Sequence, residues 1–258
     1  MRRGNMNDEA VLFDVGDSIA RITLNRPGQS NAFDLDAALE FSSVIERIAV
    51  SEARAVLLTG NGPRFCAGGD VASMVVADDR AAYLRELAGT LEAGLRAMSE
   101  LPIPVIAAVQ GAVAGAGLAV VLNADVVVAS RSTKFLTAYA GIGLTPDCGV
   151  SYLLPRAVGQ QRALELALTG RVLSADEALE WGLIARVVDA DDLTSAADEL
   201  VVRVAAGAVA AIGDAKRLIR SSFEMPRIQS AAAEVDSMAN AVTRDEAITL
   251  IEAFTKRG

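Results

Sequence analysis

The sequence has 258 residues, of which 52% are hydrophobic and 22% charged, and a formal net charge of −9. That length suits one sizeable domain, or a domain with a smaller helical appendage, and the acidic balance argues against nucleic acid as a partner. The chain has no histidine, which excludes histidine triads, imidazole acid–base catalysis and histidine metal ligands, so no metal site is predicted.

The first half of the chain has a pattern of alternating strands and helices. Two short β-rich runs flank the Gly16–Asp17 turn and predict a hairpin. Asp34 is the predicted N-cap of a helix that extends to Ile48, and residues 104–110 predict a buried strand. Further predictions are a strand over 54–59, a helix over 80–99, an alanine-rich helix ending at 124 and a strand over 126–129. This alternation predicts parallel strands with helical crossovers.

Helical patterns dominate after residue 150, and 184–188 is the one strand predicted there. The predicted helices cover 159–168, 174–181, 191–206, 208–223, 226–241 and 243–255. We therefore predict an α/β core over 1–195 and a helical C-terminal region over 196–258.

Two features bear on localisation. Leu101–Ala124 carries no charge and is long enough to span a bilayer, but its prolines and glycines divide it into strand, turn and helix. No membrane segment is therefore predicted. Two cysteines are too few for a disulfide scaffold and indicate a reducing, cytoplasmic compartment.

Three glycine-bearing segments, 65–70, 110–117 and 145–149, each follow a strand or turn and precede a predicted helix. Backbone N–H groups at the start of a helix are unpaired and favour negative charge. Two such turns that face each other would form an oxyanion hole from backbone donors alone. The alternative is that these glycines serve only tight turns and the packing of helices on strands.

Several motifs, in order and at matching spacing over residues 10–255, resemble the crotonase superfamily of enoyl-CoA hydratases and isomerases. They are Ile22-Thr23-Leu24-Asn25-Arg26-Pro27 with Asn31-Ala32, Phe65-Cys66-Ala67-Gly68-Gly69-Asp70, Ala108-Val109-Gln110-Gly111 through Gly117 to Asp125, and Leu173-Ser174-Ala175 with Glu177-Ala178 and Trp181-Gly182-Leu183. The resemblance implies an α/β fold, a crotonase-like spiral of ββα units with a helical C-terminal trimerisation region. It also implies a homotrimer or a dimer of trimers.

The resemblance further implies an acyl-CoA thioester as substrate, with no cofactor beyond its CoA. The backbone N–H groups of Ala67 and Ala116 are the implied oxyanion donors, and Gly68, Gly69 and Asp70 line the first turn. Other implied substrate contacts are Arg26, Tyr139, Phe254 and Arg257. Tyr139 alternatively serves only for packing.

The chain departs from the family's hydratases, which use two glutamates. The first glutamate would fall at Ala119 of this chain and the second near Tyr139, and neither residue is a carboxylate. The chain has instead Asp147 in a Pro-Asp-Cys-Gly motif, which resembles the epoxyphenylacetyl-CoA isomerase branch of phenylacetate degradation. Asp147 is the expected catalytic proton carrier of an acyl-CoA isomerase, although aspartate is also common in turns. The alternatives are a hydratase of low activity and a non-catalytic acyl-CoA-binding homologue.

Overall fold

The computed structural model describes residues 9–256, and a six-stranded sheet is its central frame. The strand order is β1-β2-β3-β4-β6-β9. The strands are β1 (Val11–Gly16), β2 (Ile19–Leu24), β3 (Ala55–Gly60), β4 (Val105–Val109), β6 (Val126–Ser130) and β9 (Arg186–Val188). Strand β1 pairs antiparallel with β2, as the hairpin predicts, and every later pairing in this sheet is parallel.

A smaller sheet lies beside the first and consists of β5 (Ala112–Ala114), β7 (Lys134–Leu136) and β8 (Leu173–Ser174). Strands β5 and β7 are parallel, whereas β8 is antiparallel to β7. The chain forms successive strand pairs, β4 with β5 and β6 with β7. In each pair the first strand belongs to the main sheet and the second to the smaller sheet, and a helix follows. This arrangement is the predicted spiral of ββα units.

The smaller sheet corrects the sequence analysis, which predicted a glycine-rich turn at β5 and no strand at β8. The three strands have only two or three residues each, which is too short for an alternating pattern to appear in the sequence. Their pairing depends on the neighbouring strands and not on their own residues.

Eleven helices surround the sheets in the part of the chain that the structure describes. They are α1 (Leu35–Ala49), α2 (Val71–Val76), α3 (Arg80–Glu100), α4 (Ala116–Asn123), α5 (Val150–Val158), α6 (Gln160–Thr169), α7 (Ala175–Glu180), α8 (Leu193–Ala205), α9 (Val209–Ser221), α10 (Arg227–Ala241) and α11 (Asp245–Thr255). Asp34 caps α1 as predicted, because its side chain accepts a hydrogen bond from the N–H of Ala37 at 2.9 Å.

The buried core has two parts, one on each face of the main sheet. The larger part lies among the two sheets and helices α1, α3, α4 and α5. The smaller part joins α8 to the other face, where Leu200 and Val201 pack in a cluster with Leu57, Ile106 and Val128. The predicted boundary at residue 195 falls within α8, so the residues just beyond it pack against the core sheet.

The uncharged stretch Leu101–Ala124 forms β4, β5 and α4, and most of its residues are buried. Among residues 9–256, no helix has both the length and the apolar character needed to cross a bilayer.

Helix α9 is joined to the start of two core strands by a buried ionic cluster. The Asp125 carboxylate lies 2.8 Å from the Lys216 ammonium group and 2.7 Å from the Arg220 guanidinium. Asp125 also accepts a hydrogen bond from the N–H of Val105 at 2.8 Å, so it braces the start of β4 as well.

Candidate active site

The first glycine-bearing turn is held in place by the Asn31 side chain. Asn31 is 3% exposed, and its Nδ2 donates to the carbonyl oxygens of Asn61, Arg64 and Phe65 at 2.9 to 3.0 Å. Its Oδ1 accepts a hydrogen bond from the N–H of Arg26. Since a buried amide must satisfy its polar atoms, Asn31 fixes the approach to residues 65–70. Asn31, which belongs to the first motif of the sequence, therefore stabilises the turn that follows β3.

The first and second glycine-bearing turns lie against each other. A methyl group built on Gly68 would lie 3.6 Å from the backbone nitrogen of Ala116. One built on Gly115 would lie 3.4 Å from the Cα of Gly68. Gly68 and Gly115 have φ of +111° and +51°, a region that favours glycine. The structure thus brings the two predicted oxyanion segments together.

The structure corrects the assignment of one oxyanion donor. The N–H of Ala67 donates to the carbonyl oxygen of Ser30 at 3.0 Å, so it is already used within the fold. By contrast, the N–H groups of Gly69 and Ala116 donate to no acceptor within residues 9–256. Gly69 lines the cavity, and Ala116 is the first residue of α4, where the N–H has no partner within the helix.

Asp70 and Arg26 support this turn. Asp70 caps α2 by accepting hydrogen bonds from the N–H groups of Ala72 and Ser73. The Arg26 guanidinium lies 3.0 Å from Asp70 and 2.7 Å from Asp34. Both side chains therefore have a structural role here, and the substrate contacts expected of them stay predictions.

A cavity of about 520 Å³ opens in front of the two turns. Gly69 and Ala116 lie on one side, and α3 and the loop after β7 supply most of the remaining wall. Its apolar lining includes Met74, Leu84, Leu87, Leu91, Ile142 and Leu144. Two charged residues are among those that line it in the described chain, Arg85 and Asp147. Such an apolar cavity with few polar groups is typical of a small-molecule site.

Asp147 is held at the cavity by its turn and by Tyr139. Cys148 and Gly149, which follow it, have φ of +48° and +78°, and α5 begins at Val150. The Tyr139 hydroxyl donates to Oδ1 of Asp147 at 2.8 Å. Tyr139 also lines the cavity. Burial, followed by the nearby Asp147 charge, raises the pKa of Tyr139 well above its ordinary value.

Glu92 was not predicted from the sequence as a neighbour of this site. It lies on α3, and a methyl group built on Gly149 would lie 3.7 Å from its Oε2. The pKa of Glu92 is raised chiefly by burial; Arg96 opposes this rise and Asp147 adds to it. Burial, with Asp147 and Glu92, also raises the pKa of Cys148, so that thiol stays protonated. The apolar periodicity predicts α3, but no local sequence pattern predicts that the loop containing Asp147 packs next to Glu92.

The two remaining predicted substrate contacts are Phe254 and Arg257. Phe254 is on α11, 80% exposed, and does not line the cavity. Arg257 lies outside the described residues. Their contact with the adenosine part of CoA stays a prediction.

Comparisons with known proteins show the family and the fold of the chain. The Enoyl-CoA hydratase/isomerase family matches residues 14–257. The chain is similar to the 1,2-epoxyphenylacetyl-CoA isomerase of Escherichia coli, at 38% identity over 83% of each chain. It is also similar to a probable enoyl-CoA hydratase of Rhodobacter capsulatus, at 39% identity over 67% of this chain and 66% of that protein.

A crystal structure of a putative enoyl-CoA hydratase/isomerase from Mycobacterium abscessus shares the fold with a TM-score of 0.91. It is 32% identical, and the match covers 96% of this chain and 97% of the other. The predicted crotonase-like α/β fold is thereby confirmed. The chain belongs to the enoyl-CoA hydratase/isomerase family.

Proposed function

We propose that this family member is an acyl-CoA isomerase that moves a proton on the bound acyl group. The observation that carries the proposal is the cavity lining, which combines two backbone N–H groups without an acceptor and one carboxylate, Asp147, among the described residues. In this scheme Gly69 and Ala116 donate to the thioester oxygen, and Asp147 carries the proton.

The reaction needs one base and an oxyanion hole. Asp147 removes a proton from the carbon next to the thioester, and the electron pair moves onto the thioester oxygen. Gly69 and Ala116 stabilise that charge, which is worth about 100- to 1,000-fold in rate per donor in comparable sites. Asp147 then returns the proton to a more distant carbon, and the double bond shifts toward the thioester. The scheme uses no cofactor beyond the CoA that the substrate carries.

The positions of the two hydratase glutamates support isomerisation over hydration. Ala119 is fully buried in α4, and Tyr139 is committed to Asp147. Neither side chain is an acid that would position and protonate water for addition to an enoyl group. A hydratase of low activity stays the second candidate because relatives with hydratase names match the chain.

The acyl group is proposed to be apolar, because leucine, isoleucine and methionine side chains contribute to the lining and Arg85 and Asp147 are its charged residues within the described chain. An unsaturated fatty acyl chain fits this lining, as does an aromatic ring. The similarity to the 1,2-epoxyphenylacetyl-CoA isomerase of Escherichia coli supports a second substrate class, a ring epoxide of phenylacetate breakdown whose ring the enzyme would open.

Assembly into a trimer or a dimer of trimers is part of the proposal. The last three helices present exposed apolar side chains, including Ile228 and Phe254 at 80% and Met238 at 73% exposure. Apolar surface of this extent is typical of protein interfaces. Cytoplasmic localisation, predicted from the cysteine content, is proposed as well.

The direct test compares two activities of the wild-type protein. Isomerisation of trans-3-hexenoyl-CoA and hydration of crotonyl-CoA are followed under the same conditions. The proposal expects isomerisation to be much the faster reaction. Faster hydration would favour the second candidate, and binding without either reaction on a wider acyl-CoA panel would favour a non-catalytic protein.

A further inference from the structure

Tyr139 is restrained at both its backbone and its ring. Its carbonyl oxygen accepts hydrogen bonds from the N–H groups of Ile142 and Leu144, both at 3.1 Å. The preceding residue, Ala138, has φ of +62°, a conformation that is uncommon for a residue other than glycine and that starts this turn. The side chain is therefore presented from a fixed backbone.

The ring of Tyr139 connects the oxyanion turn to Asp147. A methyl group built on Gly115 would lie 3.9 Å from Cζ of Tyr139, the carbon that bears the hydroxyl. The same hydroxyl donates to Oδ1 of Asp147 at 2.8 Å, and the residue is only 9% exposed. Asp147 itself lines the cavity.

The direction of this hydrogen bond is fixed by protonation. Burial raises the pKa of Tyr139 far above neutral pH, so the hydroxyl keeps its proton and donates it. Glu92 and Cys148 are further titratable groups near Asp147. Burial raises the pKa of both, so the Cys148 thiol stays protonated.

From this geometry we infer that Tyr139 is a positioning residue, which orients the Asp147 carboxylate through Oδ1. The inference rests on the proposed function of Asp147. It adds a role for a side chain near one of the two positions where the family's hydratases have glutamate. A tyrosine here exchanges a water-activating acid for a donor that serves the single carboxylate.

The test measures kcat and KM of Tyr139→Phe with trans-3-hexenoyl-CoA at neutral pH. We expect kcat to fall about tenfold because the base is less well aligned. KM should stay within about threefold of the wild-type value. Tyr152→Phe is the matched control, because Tyr152 is 45% exposed and does not line the cavity.

A role in folding alone is separated by two further measurements. In an Asp147→Asn background, Tyr139→Phe should cause no additional loss, because it acts through the carboxylate. Fluorotyrosine at position 139 keeps the hydroxyl donor and should keep kcat near the wild-type value, a result that stands even if the phenylalanine variant folds poorly. A near-normal kcat of Tyr139→Phe, or an equal loss in the fluorotyrosine variant, with activity lost in Asp147→Asn, would overturn the role of Tyr139 alone. Near-normal activity of Asp147→Asn would instead overturn the proposed function.

Discussion

Gly117 lies directly on the backbone of Cys66. A methyl group on Gly117 would come within 2.3 Å of the Cys66 carbonyl oxygen and 2.8 Å of its Cβ. This contact joins α4, which presents Ala116, to the turn that presents Gly69. We therefore expect Gly117→Ala to force the two turns apart, which lowers the free energy of unfolding by about 2 kcal/mol. Isomerase activity should fall with it.

The matched control is Gly89→Ala on α3, where a methyl group meets no atom within 4 Å. There the same substitution should stabilise the protein by about 0.5 to 1 kcal/mol, because alanine favours a helix. Urea unfolding of both variants measures the difference. If the two have equal stability, the close approach of Gly117 to Cys66 has no energetic consequence.

The Asp125 cluster allows a prediction about stability away from the site. Lys216 is 7% and Asp125 14% exposed, so removal of the carboxylate leaves a buried ammonium group without its partner. Asp125→Asn should lower the free energy of unfolding by about 3 kcal/mol. Asp176→Asn, which removes the exposed pair with Arg131, should cost less than about 1 kcal/mol. Equal effects in denaturant unfolding would show that burial of the first pair is unimportant.

The oxyanion role of Ala116 is tested by replacing its N–H with the ring carbon of proline, which both removes the donor and occupies its place. Ala116 is the first residue of α4, and proline is favoured at this position because its missing N–H is unpaired there. Ala116→Pro should therefore keep the fold but lower kcat by about 100- to 1,000-fold. Circular dichroism checks the fold and the isomerase assay checks the rate. A folded variant with near-normal kcat would remove Ala116 from the scheme.

The prediction of the oligomeric state rests on the exposed apolar side chains of α9–α11. We expect sedimentation at micromolar concentration to give the mass of a trimer or hexamer, because Ile228, Met238 and Phe254 gain burial in an assembly. A stable monomer of 26.8 kDa would contradict this expectation.

Sequence patterns predicted the long elements because their periodicity is local. Helices α1 and α3 and the β1–β2 hairpin needed only apolar spacing and the turn at Gly16–Asp17. The smaller sheet could not be predicted in this way, because strands of two or three residues are stabilised only by their neighbours.

The candidate site shows the same division. The glycine-bearing segments and Asp147 stand out by residue type and motif. The choice between Ala67 and Gly69 as a donor depends on the Ser30 carbonyl, which reaches the turn from 37 positions earlier in the chain. The proximity of Glu92 to Asp147 and the bond from Tyr139 likewise depend on how loops and α3 pack.

The central claim is that Asp147 moves the proton while backbone groups bind the thioester. Asp147→Asn keeps the shape of the side chain and removes its basic form. The most direct measurement is the isomerase rate of this variant with trans-3-hexenoyl-CoA, together with its calorimetric affinity for hexanoyl-CoA. We predict that the rate falls by at least about 100-fold, while affinity stays within about tenfold, or about 1.4 kcal/mol. A near-normal rate would contradict the claim, as would a loss of affinity as large as the loss of rate.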